Sequence, residues 1–235
     1  MEPEVSIIIS VYNDAQNLKT AIDSVTRQTL KSLEILIIDD CSTDNSYEVA
    51  SQLASTDERI RVFQTPENSG GAGLPRNIGI NRSMGNWLIF LDSDDRLDRH
   101  ACKNLLRAAK ENPVQLVCGQ TRRYDVDKAR WSGWHSRLYV EPRTINNISE
   151  WVELLIDSNS TGKLIKRDFL ISNNIWFPTE MHYEDLVFTA NIYNQAIGIQ
   201  VIPEVVYVWK IYPNHIRKSI THQRDSLRGS SQLRV

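Results

Sequence analysis

Three short apolar runs, VSIIISV at 5–11, LEILIID at 33–39 and IRVFQ at 60–64, alternate with two segments of helical spacing, and this alternation constrains the chain more than any other feature. The runs are rich in β-branched residues and nearly continuous, the pattern of strands covered on both faces. Between the first two, Leu18, Ala21, Ile22 and Val25 mark one stripe of a helix from Asn17 to about Arg27. A second helix is expected from Thr43 to Ala54, with Ser42 or Thr43 as its N-cap. A βαβαβ order of this kind predicts a parallel, doubly wound sheet.

The pattern continues with a helix that has Pro75 in its first turn and reaches about Arg82, then a fourth strand, NWLIFL. A helix from about Leu97 to Lys110 and a fifth strand from Gln115 to Thr121 follow. Residues 122–148 are polar, with Trp131 and Trp134 set among Arg123, Arg130 and Arg137, and read as a loop or hairpin excursion that could meet an acceptor. Beyond it, helices are expected at Ser149–Ile156, capped by Ser149, at Lys166–Ser172 and at Tyr183–Gln195. A final strand pair, IQVI and VVYVWK, leads into a basic tail.

A length of 235 residues suits one large α/β unit with an appendage. With 27 basic against 29 acidic side chains, no nucleic-acid partner is expected. Cys41, Cys102 and Cys118 lack CxxC spacing, so neither a disulfide framework nor a zinc site is indicated. The first residues have no basic leader and no run long enough to span a bilayer. A cytoplasmic setting is expected, with contact at the inner face of the membrane only peripheral or through a partner.

In an open parallel sheet, ligands bind beyond the carboxyl ends of the strands. That rule gathers Tyr12 and Asn13, Asp39 and Asp40, and the Asp92-Ser93-Asp94-Asp95 cluster at one edge. Three carboxylates within four positions repel one another unless a cation offsets them, and hard oxygen ligands suit Mg²⁺ or Mn²⁺ bridging a diphosphate. A solvated turn with Asp95 capping the next helix is the plainer reading. Asp39 and Asp40 either cap the second helix or accept the imide N–H of a uracil, with the Tyr12 ring available for stacking. Gly70, Gly71 and Gly73 do not form the dinucleotide fingerprint, which would follow the first strand. Their loop either brings backbone donors and Arg76 to a sugar or phosphate or is a structural turn. Glu184 and Asp185 open a helix, where the macrodipole favours carboxylates; one of them beside a donor site could serve as a general base.

Taken together, VSIIISVYND, IIDDCSTDNS, NSGGAGLPRNIG, IFLDSDD and HYEDLVF resemble the family 2 glycosyltransferases of the GT-A fold, in the family's order. The resemblance runs from Val5 to about Thr221. KLIKRDFLISNNIWFP and HYEDLVFTANIY look most like bacterial enzymes that glycosylate wall teichoic acid or build capsular polymers, some fused to polymerase domains. It implies a Rossmann-like α/β domain over 1–221, with a nucleotide-sugar half to 121, an acceptor and catalytic-base half to 221, and a basic tail, 222–235, that resembles a truncated or engineered end.

The implied roles fall on numbered residues of this sequence. Ser10, Tyr12, Asp39 and Asp40 hold the nucleoside, Asp40 taking the base; Arg76, Asn77 and Ser93 approach donor sugar and phosphate. Asp92, Asp94 and Asp95 hold Mn²⁺ or Mg²⁺, with Asp94 the direct ligand. Asp185 is the base and Glu184 orients a substrate, while Lys163, His215, Arg217 and Ser219 close over the diphosphate. The implied reaction is inverting transfer of a hexose or N-acetylhexosamine from a UDP-sugar to a hydroxyl of a glycan or polyol-phosphate polymer. A nucleotidyltransferase and a non-catalytic nucleotide-sugar-binding module remain as alternatives; the first should carry a Gly-rich phosphate loop after the first strand, which VYNDAQN does not supply.

Overall fold

The computed structural model describes residues 2–212. Its centre is a ten-stranded, mostly parallel sheet. The strands are β1 (Val5–Val11), β2 (Leu33–Asp39), β3 (Ile60–Gln64), β4 (Trp87–Asp92), β5 (Arg96–Leu97), β6 (Leu116–Asp125), β7 (Arg130–Gly133), β8 (Arg143–Ile145), β9 (Lys163–Lys166) and β10 (Ile199–Ile211). The helices are α1 (Ala15–Thr26), α2 (Ser46–Ala54), α3 (Gly73–Arg82), α4 (Ala101–Glu111), α5 (Arg167–Ser172) and α6 (Glu184–Gln195). Across the sheet the strands run β3-β2-β1-β4-β9-β6-β10-β5, with β7 added beside β6 and β8 beside β10.

Period-two geometry turns the apolar runs into two cores. Ile7 and Ile9 of β1 join Leu18 and Ile22 of α1, Ala50 of α2 and Leu105 of α4 on one face. Ile8 joins Ile80 of α3, Phe169 of α5 and Phe188 of α6 on the other. Both faces are therefore covered, as continuous apolar strands require. Helix α3 lies close on β1: a Cβ at Gly79 would stand 2.3 Å from Ile8 Cγ2. Gly79→Ala should therefore lower stability by about 1–3 kcal/mol despite its better helix propensity, read as a lower denaturant midpoint at constant m-value.

The structure departs from the sequence reading where tertiary contacts override local pattern. Helix α2 starts at Ser46 rather than Thr43, because Asn13 Oδ1 accepts from the Thr43 and Asp44 amides and fixes those residues in a turn. Arg96 and Leu97 pair with β10 as β5, delaying α4 to Ala101. The expected helix at 149–156 is two 3-10 turns, Ile148–Glu150 and Val152–Ile156, broken at Trp151, and Asn147 rather than Ser149 caps the first. The final strand pair is one strand, β10; register shifts around Pro203 let it pass a residue without an amide hydrogen. Strand β9, unanticipated, lies antiparallel between β4 and β6. Of the stretch 122–148, expected as a loop or hairpin, the first part to Gly133 pairs as the β6–β7 hairpin, while Ser136–Tyr139 form a 3-10 turn and Arg143–Ile145 pair with β10 as β8. No helix among the described residues is long and apolar enough to cross a membrane.

Candidate active site

Register brings the acidic strand ends together. Ser10, partly exposed near the end of β1, lies opposite Ile38 in β2 and Asp92 in β4, while Val11 lies opposite Asp39. Beyond them, Tyr12 is 46% exposed.

The site is organised by a guanidinium. Arg76, on the buried side of α3 and 4% exposed, donates from Nη2 to Asp92 at 2.8 Å and from Nη1 to Asp185 at 2.6 Å and Glu184 at 3.2 Å. Residues separated by up to 109 positions thus meet on one cation. Burial disfavours the charged guanidinium, but Asp185, Asp92 and Glu184 outweigh it and hold its pKa above the ordinary value. Burial pushes the Glu184 carboxyl up, with Arg76 opposing. Three carboxylates around one guanidinium leave the cluster net negative, so it suits a cationic ligand. Arg76 was expected to meet the donor; its donors instead go to carboxylates, making it a positioning residue.

Aromatic rings support this cluster from below. Phe177 stacks on Phe188 with ring centres 3.7 Å apart, and Phe90 meets both edge-on. The Arg76 guanidinium sits 5.1 Å from the Phe177 ring centre. Phe90 precedes Asp92 by two residues and Phe188 follows Asp185 by three, so one apolar cluster fixes both carboxylates. Asn77 clamps Phe177: its Nδ2 donates to the Phe177 carbonyl at 2.8 Å, and its Oδ1 accepts from the Phe177 amide at 2.9 Å. With both ends of its amide engaged, Asn77 anchors a loop rather than approaching a donor sugar. None of these rings stood out in the sequence, because phenylalanine at core spacing carries no chemical signal.

The acidic turn also divides into distinct roles. Asp95, 3% exposed, accepts from Tyr207 Oη at 2.7 Å and from the Lys210 amide at 2.8 Å. Burial, then the charges of Asp94 and Asp92, push its carboxyl well above the usual range. It faces inward and anchors the turn, contrary to the metal-binding role expected of it. Ser93, buried, donates to Asp14 Oδ2 at 2.7 Å, which turns it away from a donor. Asp92 and Asp94 are the partly exposed carboxylates. Among the described residues, no group of three or more His, Cys, Asp or Glu side chains is arranged to hold a metal ion unaided.

Asp39 and Asp40 differ as well. Asp39 is fully buried; its Oδ2 accepts from the Ser42 amide at 3.0 Å and Gln64 Nε2 at 2.9 Å, and its Oδ1 has no partner among the described residues. Asp40 reaches across to the glycine-bearing loop, accepting from Thr65 Oγ1 at 3.0 Å, Asn68 Nδ2 at 3.1 Å and Ser69 Oγ at 2.9 Å. That loop and the nucleobase edge expected at Asp40 are therefore neighbours. Gly70, at φ 79°, provides a turn that a side chain would strain.

Lys163 is fully buried and donates to Asp157 Oδ2 at 2.8 Å and the Asn159 carbonyl at 2.6 Å, beneath Tyr139, which also donates to Asp157. It has no path to a diphosphate, contrary to expectation. Lys163→Met should leave nucleotide affinity unchanged and lower stability by about 3–5 kcal/mol, since Asp157 is left buried without its charged partner; calorimetric titration and a denaturation midpoint would separate the two effects. His215, Arg217 and Ser219 lie outside the described residues.

Residues 6–172 match the model of the family described as Glycosyl transferase family 2. The chain is 30% identical over 211 residues to a poly(ribitol-phosphate) beta-glucosyltransferase of Bacillus spizizenii, an alignment spanning 88% of this chain and 32% of that protein. It is 26% identical over 207 residues to TarS, a poly(ribitol-phosphate) beta-N-acetylglucosaminyltransferase of Staphylococcus aureus, spanning 87% of this chain and 35% of that one. The crystal structure of S. aureus TarS 1–349 in complex with UDP-GlcNAc has the same fold, with a TM-score of 0.80 at 22% identity, covering 99% of this chain and 62% of that one. The chain thus spans only part of the length of these relatives. The doubly wound, mostly parallel sheet agrees with the GT-A expectation. With the family model matched over more than half its length, the chain belongs to glycosyltransferase family 2.

Proposed function

We propose that this chain transfers a hexose or N-acetylhexosamine from a UDP-sugar to a hydroxyl of a cell-surface glycan or polyol-phosphate polymer, with inversion at the anomeric carbon. The observation that carries the reading is the convergence of Asp92, Glu184 and Asp185 on Arg76, with Asp94 two residues beyond Asp92. The names of the poly(ribitol-phosphate) relatives support the acceptor class, and the UDP-GlcNAc complex of TarS supports the donor class.

In this reading the half through residue 121 holds the donor, and the half after it supplies the base and the acceptor surface. The nucleobase lies against the Asp39–Asp40 edge beside the Tyr12 ring, with Asp40 sharing its oxygens between the imide N–H and the Ser69 loop. Asp185 accepts the proton of the acceptor hydroxyl. The freed oxygen attacks the anomeric carbon as its bond to the UDP oxygen breaks, and UDP leaves with the electron pair. Arg76 holds Asp185 in place through a 2.6 Å hydrogen bond, and Glu184 lines the same approach. Asp94 with Asp92 fits Mn²⁺ or Mg²⁺, because such ions take one or two carboxylates together with phosphate oxygens and water and need no all-protein cage. A divalent ion held there would offset charge on the departing diphosphate. A cytoplasmic site of action and a fused or partner polymerase domain belong to the same proposal.

Purified protein incubated with a panel of UDP-sugars should release UDP only with Mn²⁺ or Mg²⁺ present, and Asp94→Ala should lose the metal-dependent part of UDP binding. Absence of UDP binding and of UDP release with every donor would sink the reading.

A further inference from the structure

A second concave surface lies away from the Arg76 cluster. It is a groove of about 820 Å³ between α1, β5 and the β6–β7 hairpin, floored by apolar residues of β10 such as Val208. Neither Asp185 nor Asp94 lines it. Arg27, Arg96, Arg99 and Arg122 do, from three separate stretches of chain, and all four are exposed. Among the described residues, Arg27 is the one of the four within ion-pairing distance of a carboxylate, Asp23 at 3.9 Å, and Asp23 is held more closely by Lys19 at 2.8 Å. Among the described residues, Arg96, Arg99 and Arg122 make no ion pair. The other acid on the wall, Asp98, accepts from the His100 amide at the approach to α4. The groove is therefore locally positive on a chain whose formal net charge is −2.

Its remaining surface is suited to a carbon chain. Trp131 stands 46% exposed on the hairpin, with the Arg96 guanidinium 5.8 Å from its ring centre. Cations spaced along a wall with an apolar floor match a flexible polymer in which phosphates alternate with short polyol segments. Arg96 directly follows Asp95, so the groove begins beside the acidic turn. The volume is within the range of ligand-binding clefts, roughly 300–1,000 Å³.

We propose that this groove is a holding site for a phosphodiester-linked polyol polymer, gripping the acceptor some units away from the hydroxyl being glycosylated. The inference rests on the acceptor class named above, but its binding step is independent of catalysis. Such a site keeps one polymer near the acidic turn between successive transfers and concentrates its hydroxyls there.

The test compares a synthetic ribitol-phosphate oligomer with monomeric ribitol phosphate on the full chain and on an Arg96→Glu/Arg122→Glu variant. Oligomer affinity should fall by about tenfold or more in the variant, with a shallower dependence on salt, because each lost cation–phosphate contact releases one counterion fewer. KM for the oligomer should rise, while UDP affinity and KM for the monomer stay unchanged. Oligomer affinity equal in parent and variant would overturn the holding site. So would equal losses for monomer and oligomer, or Arg96- and Arg122-dependent binding of phosphatidylglycerol vesicles without binding of the oligomer. Because oligomer binding is read without donor, a failure of the transferase reading, seen as no UDP binding and no UDP release with any donor, would leave this result standing, and the two failures remain distinct.

Discussion

Asp185→Asn is expected to lower the rate of sugar transfer by about 10²–10⁴-fold, the usual contribution of a positioned proton acceptor, while UDP affinity is unchanged. Asparagine keeps the size of the side chain and an oxygen able to accept from Arg76 Nη1, which reaches Asp185 at 2.6 Å. It cannot take up the proton of an attacking hydroxyl. Arg76 keeps Asp92 and Glu184 as partners, so the fold should survive. Single-turnover transfer from a saturating donor is the measurement, because it isolates the chemical step from product release. Near-normal turnover in this variant would remove Asp185 from its assigned role.

Replacing the organising cation should do more general damage. Arg76→Ala is expected to destabilise the protein by about 3–5 kcal/mol, the cost of breaking a buried ion pair by deleting one partner. The lower end is favoured because the Asp92 side chain is 37% exposed and water can screen part of its charge. Three carboxylates would then face one another with no cation between them, and transfer should be lost with the geometry. Arg76→Lys should not rescue it, since a single ammonium cannot reproduce a planar fork that reaches Asp92 from one nitrogen and Asp185 from the other. Urea unfolding followed by circular dichroism reads the effect. A shift below about 1 kcal/mol would show that these pairs behave like exposed ones.

What the sequence made legible was the half of the design that repeats or is chemically unusual. Apolar runs ending in aspartate disclosed both the strands and the edge where Asp39, Asp40 and Asp92 emerge. Glu184 and Asp185 were legible as the start of a helix. Contacts between distant segments left no such trace. Asp95 has the same side chain as Asp94, yet a tyrosine 112 residues away turns it inward. Asn77 looks like a polar residue beside a functional arginine, but its partner is a backbone segment 100 residues on. Lys163 sits in a short strand flanked by lysines, and only its sheet neighbours reveal that its ammonium is buried with Asp157.

The grip of Tyr207 and the Lys210 amide on Asp95 has a consequence for biosynthesis. A ribosome delivers the acidic loop early and its fastener more than a hundred residues later. Until β10 emerges, the growing polypeptide carries Asp95 without the hydroxyl and the amide that turn it inward.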